Sequence, residues 1–232
     1  MSEPSTVVVT GAFGALGGAV ARRFASRGVR LGLLGRGPVP AALRQEFGAA
    51  HVLLGGVDLT VQEAASAAMQ SVAAATGGFQ VLVNVAGAFR WETLAEGDVS
   101  TWELMFAMNL KTAVVASKAA LPHLIAAGGG RIVNIGAGAA GRAAAGMGAY
   151  AASKAGVERL TEALAAELRD RNVTVNAILP GTIDTAANRA AMPDADVARW
   201  VEPEAVADAV VFLASDAARA VTGAALRVFG RG

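Results

Sequence analysis

Seven short runs rich in Val, Ile and Leu recur along the chain: Thr6–Thr10, Arg30–Leu34, His51–Leu54, Val81–Asn84, Arg131–Ile135, Thr174–Leu179 and Ala225–Phe229. They lack the in/out alternation of a half-exposed strand, so each reads as a strand buried on both faces. Longer Ala-rich, helix-compatible segments separate them. Strand–helix alternation with doubly buried strands implies a parallel sheet covered by helices on each side. The expected fold class is α/β, a doubly wound seven-stranded parallel sheet. No internal repeat and no wide Pro/Gly-rich linker divides the 232 residues, so 1–232 reads as a single domain. The connection Gly181–Val201 is longer than ordinary ones and carries Met192, Pro193 and Trp200, which suggests a mobile segment covering a substrate. A long surface loop with a helical turn is the alternative.

Composition narrows the function. Hydrophobic residues make up 54% of the chain, and the longest uncharged stretch, Ala64–Phe89, has the length of a membrane span. Thr76-Gly77-Gly78 divides it, however, and Gln70, Gln80 and Asn84 would each be costly in lipid, so it reads as buried core. The start, Met1-Ser-Glu-Pro-Ser, lacks the charged and apolar regions of a signal peptide, so a cytoplasmic protein is expected. Twenty Lys+Arg against 19 Asp+Glu give a net charge of +1 without like-charge runs, which argues against a nucleic-acid or membrane partner. With no cysteine and two isolated histidines, His51 and His123, no metal site is expected. Only three basic residues are lysines: Lys111, Lys118 and Lys154.

The first strand runs into Thr10-Gly11-Ala12-Phe13-Gly14-Ala15-Leu16-Gly17-Gly18 and then an Ala-rich helix. Glycines here let the backbone turn tightly and approach a pyrophosphate, whose charge meets amide N–H groups at the helix N-terminus. A plain strand–helix turn is the competing explanation, weakened by the position directly after strand one. The second strand ends at Gly35-Arg36-Gly37, where an NAD site would offer an acidic side chain to the ribose. Arg36 could instead grip a 2′-phosphate, so NADP(H) is favoured, with NAD(H) possible. Asp58-Leu59 after the third strand could accept from an adenine amino group, although an Asp before Thr60 is equally suited to cap a helix.

Tyr150-Ala-Ala-Ser-Lys154 places the chain's only tyrosine four residues before a lysine, on one face of a helix. The ammonium can then sit near the phenol and favour its ionised form.

Together these residues resemble the short-chain dehydrogenase/reductase family over essentially the whole chain. Asn84-Val85-Ala86-Gly87 is similar to the family's Asn-Asn-Ala-Gly, and Met108-Asn109-Leu110 places an asparagine where the family has its active-site one. Pro180-Gly181-Thr182-Ile183-Asp184-Thr185 resembles the segment that holds the nicotinamide carboxamide. The resemblance implies a Rossmann fold. It makes Tyr150 the general acid/base, Lys154 the ribose ligand that lowers the tyrosine pKa, and Asn109 the support of a water-linked proton relay. It assigns cofactor contacts to Gly11, Phe13, Gly14, Ala15, Leu16 and Gly17 in the first loop. Arg36, Asp58, Leu59, Asn84, Ala86 and Gly87 follow in the middle of the chain, then Tyr150 and Lys154, and lastly Pro180, Gly181, Ile183 and Thr185. It further implies a homodimer or homotetramer, with the helices near Thr101–Ala126 and Gly148–Asp170 packing on their symmetry mates.

Three departures from the family pattern stand out. Ala15 replaces the middle glycine of the loop, with Gly14 one position earlier. Val228-Phe229-Gly230 lacks an acidic residue often found there. Ala137 stands where the family serine would hydrogen-bond the substrate carbonyl, and no Ser or Thr occurs between Gly136 and Ala149. Losing such a donor costs about 3 kcal/mol of transition-state stabilisation. A conjugated C=N acceptor suffers less, because little charge collects on one oxygen. The dihydropteridine reductase branch of the family is similar on this point, and also in Gly146-Met147-Gly148-Ala149-Tyr150 and in the 184–200 segment. Ala137, Met147, Trp91, Met192 and Trp200 are the expected substrate-side residues, with Phe89 beside them, and their character suits a flat, apolar or aromatic substrate. The expected activity is NAD(P)(H)-dependent hydride transfer to or from a carbonyl or imine. A cofactor-binding regulator without turnover is the alternative that Ala137 leaves open.

Overall fold

The computed structural model describes residues 4–231. Its strands are β1 (Thr6–Thr10), β2 (Arg30–Leu34), β3 (Val52–Leu54), β4 (Val81–Asn84), β5 (Gly130–Ile135), β6 (Val173–Pro180) and β7 (Ala225–Val228). They form one sheet in the order β3-β2-β1-β4-β5-β6-β7, and every neighbouring pair is parallel. The seven expected strands are all present, with ends moved by a residue or two. His51 falls outside β3 because its ring is used elsewhere: Nδ1 accepts from Leu31 N at 3.2 Å, and Phe47 meets it edge-on. Phe229 lies past the end of β7, beside Gly138 and Gly181.

The helices are α1 (Ala15–Ala25), α2 (Ala41–Phe47), α3 (Gln62–Thr76), α4 (Val99–Met105), α5 (Thr112–Ala126), α6 (Gly148–Glu167), α7 (Ala186–Ala191) and α8 (Pro203–Ala214). Period-two alternation sends neighbouring strand residues to opposite faces. Val7 and Val9 face α1 and α8, packing with Val20, Phe24, Val206 and Val210. Val8 faces the other layer, with Met69, Val72, Ala116 and Leu124 from α3 and α5. Both faces of the central strands are therefore dry, which is why their sequences are almost continuously apolar.

One expectation needs correction. The helix anticipated from Thr101 to Ala126 is not uniform, because a six-residue π segment, Phe106–Lys111, separates α4 from α5. The Gly181–Val201 connection is long and partly helical. It contains α7 and a 3-10 turn at Val197–Arg199. Its base is closed by a bridge between Ile183 and Val201, with Asp184 N donating to Val201 O and Val201 N to Thr182 O, both at 2.8 Å. Among the described residues, one continuous helical run, Val99–Ala126, is long and apolar enough to cross a membrane by length and composition; half of that apolar window is buried inside the protein.

The lateral order of the strands reverses between β1, from which the chain steps outward to β2 and β3, and β4, from which it steps the other way to β5, β6 and β7. A crevice therefore opens beyond the carboxyl ends of these two strands.

Candidate active site

The crevice is floored by the loop from β1 to α1. Gly11 adopts a positive φ of 61°. A Cβ on Gly17 would lie 2.7 Å from Ala12 Cα and 2.8 Å from Gly11 C, so only glycine lets α1 start this close to the loop. Gly14 caps α1 in extended conformation, without a side-chain cap and with no acid in the first turn. The first-turn N–H groups of Ala15, Leu16 and Gly17 thus face the crevice end of an eleven-residue helix. Ala15 is an ordinary helical residue, so the loop's shape does not need a glycine there.

Thr10 was absent from the expected site, yet its hydroxyl accepts from Val85 N at 3.1 Å and Ala86 N at 3.2 Å. It joins the glycine loop to the turn after β4. A hydroxyl residue ending the first strand was the signal available for it. Asn84 behaves differently from a crevice ligand. Its amide donates to Ser117 Oγ at 3.0 Å and Asn134 Oδ1 at 2.8 Å, inside the layer between sheet and helices. The Asn84 Oδ1 is buried and accepts no hydrogen bond from the described residues. Ala86 and Gly87 carry the turn on into the crevice.

Beside Gly87 lies a buried polar cluster. Asn109, in the π segment and only 1% exposed, has both ends of its amide engaged: Oδ1 accepts from Ala88 N at 2.8 Å, and Nδ2 donates to Ser153 Oγ at 2.9 Å. Ser153 in turn donates to Tyr150 O at 2.7 Å. The wider π turn lets Asn109 face inward here while the helix continues on both sides. Lys154 is buried, and its Nζ donates to Ile135 O at 2.8 Å at the end of β5. A Cβ on Gly87 would sit 2.7 Å from Asn109 Oδ1 and 3.3 Å from Lys154 Nζ, so this glycine leaves the room in which the two side chains meet.

Tyr150 is half-buried, with Phe89 edge-on at 4.9 Å between ring centroids. Burial pushes its hydroxyl up to about 12 and pulls Lys154 down to about 8. Desolvation disfavours the charged form of each group and is the cause of both shifts.

Ala137 follows β5 directly and is buried. Trp91 is exposed, but its indole N–H donates to Ala145 O at 3.0 Å and its ring lies on Gly146, so it joins the two loops beside the crevice. Met147 caps α6 two residues before Ala149, while within the connection after β6 Met192 ends α7 and Trp200 ends the 3-10 turn. Pro180 ends β6, and Gly181 N donates to Val228 O at 2.9 Å. Ile183 packs on the core, and Thr185 caps α7 by accepting from Asn188 N at 3.1 Å.

The residues expected at the adenosine end follow β2 and β3. Arg36 is exposed, with Nη1 3.7 Å from Met108 Sδ. Asp58 accepts from Thr60 N at 2.9 Å and Thr60 Oγ1 at 2.7 Å, and these bonds hold its carboxyl below the usual range. It closes a turn ahead of α3 instead of capping it, since the cap position is Val61. Leu59 is buried in the core.

Comparison with known proteins agrees with this geometry. A family profile described as short chain dehydrogenase matches residues 5–196. The chain belongs to the short-chain dehydrogenase family. It is 38% identical over 96% of its length, and 94% of the relative's, to a cis-4-hydroxycyclohexanecarboxylate dehydrogenase of Sinomonas cyclohexanicum. It is 31% identical to a 3-oxoacyl-(acyl-carrier-protein) reductase of Vibrio cholerae, over 98% of this chain and 97% of that one. The structure of a short-chain type dehydrogenase/reductase from Mycobacterium ulcerans superposes with a TM-score of 0.90 at 29% identity, covering 97% of this chain and 88% of the other. The protein is thus a Rossmann-type oxidoreductase that uses a nicotinamide cofactor. The glycine cradle and the open first turn of α1 fit the pyrophosphate of such a cofactor.

Proposed function

We propose that this short-chain dehydrogenase moves hydride between NADP(H) and a small, conjugated or aromatic carbonyl or imine, with Tyr150 as the proton donor. The bound cofactor supplies the hydride. The chain's own groups do the rest. Burial keeps the Tyr150 phenol protonated, the form that a reduction consumes. Lys154, as the ribose ligand, is held beside Asn109 in the space that Gly87 leaves. Asn109, fully engaged through its side chain, fixes the π segment, so any water relay is supported by its position. Arg36 is the cation available to a 2′-phosphate.

The observation that carries the substrate class is Ala137. It is buried at the end of β5 where a hydroxyl donor would serve a ketone, and the following residues up to Ala149 hold no Ser or Thr. A substrate already polarised by conjugation depends least on that donor. This supports a quinonoid or imine acceptor of the pteridine kind over a simple ketone, for which water or a backbone N–H would have to stand in. Phe89 against Tyr150, with Met147, Met192 and Trp200 around the mouth, supplies apolar walls for a flat ring. The 181–201 segment covers that ring.

The test is titration with NADPH and NADH, followed by cofactor oxidation with a quinonoid dihydropterin and a panel of ketones. Turnover of the pterin alone supports the reading. Turnover of ketones alone overturns its imine arm, and tight NADPH binding with no turnover of either class favours a cofactor-binding regulator. Arg36→Asp should weaken NADPH far more than NADH. Exposed Val99, Trp102, Phe106 and Val114 along α4, the π segment and α5 suit a homodimer or homotetramer contact, and a cytoplasmic location is part of the same proposal.

A further inference from the structure

Gly35 follows β2 at the point from which a side chain would reach the adenosine ribose. A Cβ built there lies 2.6 Å from Phe13 Cγ, and closer still to Cδ2 and Cε2 of the same ring. That is far inside van der Waals contact, so the ring and any side chain at 35 compete for one volume.

The Gly35 backbone is pinned. Gly35 N donates to Leu54 O and Gly35 O accepts from Val57 N, both at 3.0 Å. The next turn is fastened to the same neighbour, since Gly56 N donates to Gly37 O at 3.0 Å and a Cβ on Gly55 would meet Gly37 O at 2.7 Å. Phe13 is anchored from its own side. Ala12 N donates to Leu34 O at 3.1 Å, and the Phe13 ring packs against the core on the α1 face.

We infer that Phe13 is a specificity-determining residue: its ring fills the volume an acidic side chain at position 35 needs, so the pocket cannot offer a carboxylate to a ribose 2′-hydroxyl. This deepens the NADP(H) reading and rests on it, with Arg36 left as the charged group at that ribose. Selectivity is then set jointly by two loops. A carboxylate at 35 becomes useful only when the ring at 13 is gone.

The test is a double-mutant cycle of Phe13→Ala and Gly35→Asp, reading NADPH and NADH dissociation constants by fluorescence titration. Gly35→Asp alone should weaken both cofactors and change their ratio by less than about threefold. The double variant should favour NADH by about tenfold more than the product of the single effects. A ratio shift in Gly35→Asp as large as in the double, or a double equal to the product of the singles, overturns the inference.

Gly35→Ala gives a measurement that needs no cofactor. It should lower the melting temperature by about 4 °C in the wild-type background and not in Phe13→Ala. Equal losses in both backgrounds overturn the steric pairing. Tighter binding of NADH than NADPH by the wild-type protein overturns the role of Arg36 instead, and the melts separate that failure from failure of the pair.

Discussion

The side-chain amide of Asn109 donates to Ser153 Oγ at 2.9 Å, and that hydroxyl passes the link to the carbonyl of Tyr150 at 2.7 Å. Two buried side chains thus tie the π segment to the turn of α6 that carries the phenol. Ser153 is a positioning residue: it acts through Asn109 and Tyr150. Removing one such hydrogen bond costs on the order of 1 kcal/mol. Ser153→Ala should lower kcat about fivefold to tenfold with little change in cofactor affinity, and Ser153→Thr should restore much of the loss. Steady-state kinetics of the two variants against pH decide it; unchanged kcat in the alanine variant removes Ser153 from this role.

Tyr150→Phe removes the proton donor and keeps the ring that Phe89 packs against. General acid catalysis is worth about 10² to 10⁴ in rate. Turnover should fall by that order while NADPH dissociation constants stay within experimental error of wild type.

Ala137→Ser restores a hydroxyl at the end of β5. It should raise kcat/KM for simple ketones by about 10², the scale of one oxyanion donor. Turnover of a conjugated imine should change far less. Equal gains on both substrate classes would remove Ala137 as the reason for the substrate preference.

Lys154 is lowered by burial to about 8 from an ordinary 10.5. Between those values the unfolded chain binds more protons than the folded one, so stability rises with pH across that window. Below pH 8 both states are protonated and the contribution is flat. Melting curves from pH 7 to 10.5 should show this rise in the wild-type protein and lose it in Lys154→Met.

Strands were the most legible part of the sequence, because burial on both faces leaves runs such as Thr6–Thr10 and Val81–Asn84 little freedom in composition. The glycine loop, Tyr150 and Lys154 were legible for a related reason, since backbone approach and helical spacing leave marks in sequence. The π segment was not. A one-residue widening of a helix changes which side chain faces inward without changing the apolar pattern of Phe106–Lys111. Thr10 and Ser153 were also hidden, because their roles are hydrogen bonds to backbone and side chains far along the chain. The second role of Asn84 was hidden in the same way: it carries the family's motif, and its Nδ2 also donates to Ser117 and Asn134, linking β4 to β5 and α5. The close approach of the Phe13 ring to Gly35 could not be read at all, since it arises only when two loops meet.

The position of β1 in the middle of the sheet has a kinetic consequence. Its neighbours are β2, close in sequence, and β4, which follows only after three helices. During synthesis the first strand emerges early and waits with one edge unpaired until Val81–Asn84 leaves the ribosome. Loop closure over that separation slows assembly of the central pair. Until it forms, Val7, Val8 and Val9 are an exposed apolar edge that a chaperone or a second nascent chain can meet first.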